Sequence, residues 1–85
     1  MSFWNIIFMR NDNGQRVSVQ TTSDAMFAEI ALKFCNKAGI MGNDQVKYIY
    51  NNEELKIESP KTLAELNLRD GSKIEVVMTN TVIGA

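Results

Sequence analysis

Apolar residues recur along this chain with two different periods. Near the start, Phe3-Trp4-Asn5-Ile6-Ile7-Phe8-Met9-Arg10 is dense in aromatic and β-branched side chains, which favour an extended, pleated backbone. Asn11-Asp12-Asn13-Gly14 follows, and Asn, Asp and Gly tolerate the positive φ of a tight turn. Arg16-Val17-Ser18-Val19-Gln20-Thr21 then alternates polar and apolar positions, as a strand with one buried face does. Together these segments predict an N-terminal β-hairpin.

The period then lengthens. Phe27, Ile30, Ala31, Phe34 and Ala38 fall at steps of one, three and four, forming one stripe of a helix predicted over residues 25–38. Thr22, Ser23 and Asp24 are candidate N-caps, and Glu29, Lys33, Asn36 and Lys37 occupy largely the opposite side. Gly39 is placed to end the helix in a left-handed turn, which frees Ile40 to fold back on the core. Residues 45–50 predict a third strand and Asn51-Asn52-Glu53-Glu54 a turn, with Leu55-Lys56-Ile57 returning as a short strand. Pro60 marks a loop. Thr62 and Glu65 have the spacing of a capping box around a helical turn that carries Leu63 and Leu66. Asp70-Gly71 predicts a turn and residues 72–78 a last strand. Residues 80–85 show no periodicity and are expected to form a mobile tail behind a domain over residues 1–79. The expected class is α+β: a mixed five-stranded sheet packed on one long helix plus a short helical turn, which is a β-grasp arrangement.

Composition narrows the function. At 85 residues there is room for one domain and one core. Nine Lys and Arg against ten Asp and Glu give a net charge of -1. That balance argues against a nucleic-acid partner, which requires a cationic footprint. Histidine is absent, so no Ser-His or Cys-His nucleophile pair and no His-ligated metal can form. The five glycines are too scattered to cradle a phosphate group in one loop. No catalysis and no cofactor are therefore expected. Cys35 is the only cysteine and lies beside the helix stripe. A packing role fits it, and the absence of an internal disulfide favours a reducing compartment, cytoplasmic or nuclear. No apolar run approaches the ~18–20 residues of a membrane-spanning helix. A monomeric protein-binding module remains.

Three stretches carry a resemblance to a known family. Lys37-Ala38-Gly39-Ile40 with Asp44-Gln45 closes the helix; Lys47-Tyr48-Ile49-Tyr50-Asn51-Asn52-Glu53-Glu54-Leu55 spans the third strand, its turn and a following leucine. Thr62-Leu63-Ala64-Glu65-Leu66-Asn67-Leu68-Arg69-Asp70-Gly71-Ser72 precedes the last strand. In this order and spacing the chain resembles the ubiquitin-like superfamily over nearly its whole length. The resemblance implies protein partners, either ubiquitin-binding modules or conjugation enzymes. It matches Ile49 and Val77 to two members of the hydrophobic patch through which ubiquitin docks. Strand alternation places both on the outer sheet face with Lys47, and Phe8 or Ile6 is expected to widen that patch. The third member would come from the first turn, which is polar here.

A further expectation comes from the small ubiquitin-related modifiers, where an extended peptide adds to the second strand beside the helix. Val17, Val19, Ile30 and Phe34 would line that groove, although their periodicity fits the core better. Conjugated relatives commonly end in Gly-Gly, whereas this sequence reads Thr81-Val82-Ile83-Gly84-Ala85. Removal of Ala85 would make Gly84 a terminal glycine, as in single-glycine modifiers. The positions matching ubiquitin's main chain-building lysines are Glu53 and Asp70, which carry no amine. The resemblance leaves a non-covalent docking module and a covalent modifier both open.

Overall fold

The computed structural model describes residues 3–40 and 46–78. The expected tail, Gly84 and Ala85, and the Asp44-Gln45 pair all lie outside the described residues. The elements are β1 (Trp4–Arg10), β2 (Arg16–Thr21), α1 (Phe27–Ala38), β3 (Val46–Tyr50), β4 (Glu53–Leu55) and β5 (Lys73–Met78). They build the expected mixed five-stranded sheet, in the order β2-β1-β5-β3-β4. The central β1–β5 pair is parallel, and the other three pairs are antiparallel.

The hairpin turn is stabilised by its own polar residues. Arg10 Nη2 and Nε donate to the Asp12 carboxylate at 2.7 and 3.0 Å. Hydrogen bonding to that guanidinium holds the Asp12 carboxyl below its ordinary range. At the other end of the sheet, Asn51 and Asn52 both have positive φ, 56° and 67°. Two such residues close a two-residue hairpin between Tyr50 and Glu53. The return strand therefore starts at Glu53, two residues earlier than the sequence pattern predicts.

Helix α1 buries Phe27, Ile30, Ala31 and Phe34 against the inner sheet face, as its apolar stripe requires. It begins at Phe27, later than predicted, and no side chain caps it. The segment before it forms a turn, closed by the Ala25 N–H on the Thr22 carbonyl at 3.2 Å and held from elsewhere: the Ser23 and Ala25 carbonyls accept the N–H groups of Ala64 and Leu63 at 3.1 and 2.9 Å. Thr22 turns its hydroxyl to the Asp24 carboxylate instead. The helix ends where predicted, with Gly39 left-handed at φ 73° and Ile40 N–H reaching back to the Cys35 carbonyl at 2.9 Å. The capping box also forms. Thr62 N–H donates to Glu65 Oε1 at 2.8 Å, and Glu65 N–H donates to Thr62 Oγ1 at 3.3 Å.

Beneath the helix lies a four-ring cluster. Phe8 stacks on Phe34 with centroids 4.6 Å apart, and Tyr48 meets Phe27 edge-on at 5.1 Å. The Tyr48 hydroxyl and the Cys35 thiol lie 3.4 Å apart, so this buried phenol has a polar partner. Burial holds the Tyr48 phenol well above its ordinary range, and the thiol adds to the effect.

Candidate docking face

Because α1 covers one face of the sheet, strand alternation turns every second side chain of each strand toward the other, uncovered face. The register defines its composition. One row across the strands reads Arg16, Met9, Glu75, Ile49, Glu54. The next row places Ser18, Ile7 and Lys73 side by side. Beyond the first row, Lys47 lies opposite Val77.

Ile49 and Val77 are both half-buried. They are diagonal neighbours across the β3–β5 pair, since Ile49 faces Glu75, two residues before Val77. Diagonal pairs of this kind sit about 7–8 Å apart, within reach of one partner side chain. The structure thus brings together Ile49, Val77 and the exposed Lys47 as expected.

Phe8 does not join them. It is 0% exposed and lies on the inner face with Ile6, also 0% exposed. Its register partners Val17 and Ile74 are core residues too. The first strand instead contributes Ile7 and Met9, both half-buried on the outer face. A shallow depression of about 300 Å³ opens beside Met9, Lys73 and Glu75. The face is accordingly a checkerboard: four apolar side chains are interleaved with Lys47, Lys73 and Glu75.

The predicted peptide groove is corrected in the same way. Val17, Val19, Ile30 and Phe34 are all buried in the single core, so their side chains line no open channel. The β2 edge itself is free within the sheet. Arg10 N–H donates to Gln15 C=O at 2.9 Å, which sets the ladder phase so that Ser18 turns its carbonyl outward. That carbonyl accepts from Lys37 Nζ at 3.0 Å, so a helix side chain already occupies part of the edge.

Two exposed apolar side chains escaped the periodicity. Leu32 is 63% exposed and Ile57 48% exposed, and both line a 430 Å³ groove with Ala28, Cys35, Ile40 and Tyr48. Leu32 lies off the helix stripe, and that offset is the signal a sequence carries for such a residue. The expected conjugation residue, Gly84, lies outside the described residues. Among those residues there is no group of His, Cys, Asp and Glu that could hold a metal ion, and no helix is long and apolar enough to cross a membrane.

Comparison with known proteins agrees with this architecture. A family model described as "Ubiquitin-2 like Rad60 SUMO-like" matches residues 6–78. Among solved structures, a ubiquitin from Caldiarchaeum subterraneum superposes with a TM-score of 0.78 at 17% identity, covering 95% of this chain and 99% of that one. The UBL domain of yeast Ddi1 gives 0.80 at 12% identity, covering 94% and 93%. A designed protein based on ubiquitin gives 0.75 at 24% identity, covering 98% and 96%. At such identities the likeness is one of fold. No curated protein matches the sequence.

Proposed function

Because the chain belongs to the Rad60-SLD family of SUMO-like, ubiquitin-like domains, we propose that it is a non-catalytic protein–protein interaction module. Its docking surface is the outer sheet face. The supporting observation is the diagonal pair Ile49 and Val77, half-buried on the face that α1 leaves uncovered and joined by Ile7 and Met9. A partner helix laid across β1, β5 and β3 would cover these four apolar side chains and meet the charges between them. An amide-shift titration of the labelled chain with amphipathic ubiquitin-binding helices tests this. Shifts centred on residues 7, 9, 49 and 77 support the reading. Binding that leaves all four unmoved rejects this surface.

The alternative function is covalent attachment to other proteins through Gly84 after removal of Ala85. It rests on the sequence Ile83-Gly84-Ala85 together with family membership. Intact mass of the cellular protein separates the two readings. A species lacking Ala85 with higher-mass adducts supports attachment, and a chain that always retains Ala85 without adducts rejects it.

A further inference from the structure

We infer that the pocket between the end of β3 and the start of β5, which shares Lys73 with the rim of the outer sheet face, binds a phosphate-sized oxyanion. The pocket has a volume of about 410 Å³, and Tyr50, Arg69, Asp70, Ser72 and Lys73 are among its lining residues.

A chain of hydrogen bonds gives the pocket a directed donor. Ser72 is a buried polar residue. Its Oγ accepts the Arg69 backbone N–H at 2.9 Å and donates to Tyr50 Oη at 3.2 Å. A serine hydroxyl has a single proton, and here that proton is committed to the tyrosine oxygen. Tyr50 therefore acts as an acceptor toward Ser72, which leaves its own O–H free to donate elsewhere. Among the described residues no acceptor meets it. The Arg69 N–H at one end of the chain and the Tyr50 O–H at the other polarise each other in the direction that strengthens the terminal donor.

Charge points the same way. Arg69 and Lys73 line the pocket, and neither belongs to the ion pairs found among the described residues, Arg10–Asp12 and Glu54–Lys56. The opposing carboxylate, Asp70, has Oδ1 occupied by the Asn5 backbone N–H at 2.7 Å. One oriented hydroxyl donor with two cations suits a tetrahedral oxyanion carrying several acceptor oxygens. The group could be free inorganic phosphate or the phosphate of a phosphorylated side chain on a partner protein.

The test is an amide-shift titration of the full chain at constant ionic strength, with inorganic phosphate in one arm and a short phosphoserine peptide in the other. Sodium chloride and the unphosphorylated peptide are the controls. Saturable shifts at residues 51 and 71–73 are expected in at least one phosphate arm, and the tighter arm identifies the source. Tyr50→Phe and Lys73→Gln should each weaken binding about tenfold. Asp70→Asn keeps an oxygen for Asn5 while removing a repulsive charge, and should tighten it. Equal responses to chloride and both phosphate ligands overturn the proposal, as does a folded Tyr50→Phe chain that binds like the wild type. If Tyr50→Phe fails to fold, the exposed Lys73→Gln decides alone, and unchanged affinity in it overturns the proposal.

Discussion

The rings of Phe8 and Phe34 stack across the sheet–helix interface with centroids 4.6 Å apart and planes 13° from parallel. One ring comes from a central strand and the other from the third turn of α1, so the contact fixes the helix on the sheet. Tyr48 meets both edge-on, at 5.9 and 6.3 Å. Removing either ring loses the transfer energy of a fully buried phenyl group and leaves a cavity that its neighbours cannot fill.

Phe34→Ala should therefore cost about 3–5 kcal/mol. Against a total of roughly 5–15 kcal/mol for a domain, that brings the chain close to unfolding. Urea denaturation followed by circular dichroism measures the loss. Phe8→Ala should cost a similar amount, and the double variant less than the sum, because the two rings contact each other. Losses below about 1 kcal/mol for both would contradict the observed packing.

Ile49→Ala separates docking from stability. Ile49 is half-buried on the open face, so truncation should cost only about 0.5–1.5 kcal/mol. At the centre of an interface the same truncation should weaken partner binding about tenfold or more. Calorimetry of binding and a thermal melt on one sample give both numbers. A collapse of the thermal midpoint would mean that Ile49 belongs to the core and that the strand faces the other way.

These contrasts explain which features are legible in the sequence. Strand β2 alternates cleanly from Arg16 to Thr21, and its buried residues are those the pattern predicts. Strand β1 carries apolar side chains on both faces, with Ile6 and Phe8 inward and Ile7 and Met9 outward, so its phase cannot be read from hydropathy. Pairing with β2 fixes that phase, since Phe8 lies opposite Val17. The same reasoning, applied to the short turn and the alternation in β2, was the signal available for Ile7 and Met9. The α1 stripe is equally plain, but its start depends on carbonyls of Ser23 and Ala25 that bind Ala64 and Leu63, far along the chain. The Ser72–Tyr50 hydrogen bond joins residues 22 apart, and no local pattern marks it. Local periodicity reveals elements and their buried sides. Polar networks and element boundaries depend on contacts formed only after the chain has folded.

Glu75 should decide which partners the outer face accepts. Its cross-strand neighbours are Met9 and Ile49, so a carboxylate stands between two apolar side chains in the middle of the face. A partner that covers Met9 and Ile49 must either leave that charge hydrated or place a cation or an N–H donor above it. Partners carrying an Arg or Lys among their apolar contacts are favoured. Glu75→Lys should weaken such a partner by more than Glu75→Gln does, and reversing the partner's cation to Glu should restore part of the loss. Equal affinities across this cycle would exclude Glu75 from the interface.

Alkaline unfolding should report on the contact between Tyr48 and Cys35. Burial first, and then the thiol 3.4 Å away, raises the Tyr48 phenol above its ordinary value of 10.0 in the folded chain. In the unfolded chain the phenol titrates near that ordinary value. Above pH 10.0 the unfolded state therefore binds fewer protons at this site than the folded state, and stability falls as pH rises. The slope from this one group approaches about 1.4 kcal/mol per pH unit. Below the unfolded value the contribution is fully present and does not vary. Tyr50→Phe leaves Tyr48 as the sole tyrosine, so the phenolate absorbance then reports on it alone. That absorbance should appear together with the loss of secondary structure. Tyr48→Phe should flatten the alkaline slope of stability. Phenolate forming near pH 10.0 in a chain that is still folded would mean that the ring is exposed to solvent, and the four-ring core would then be wrong.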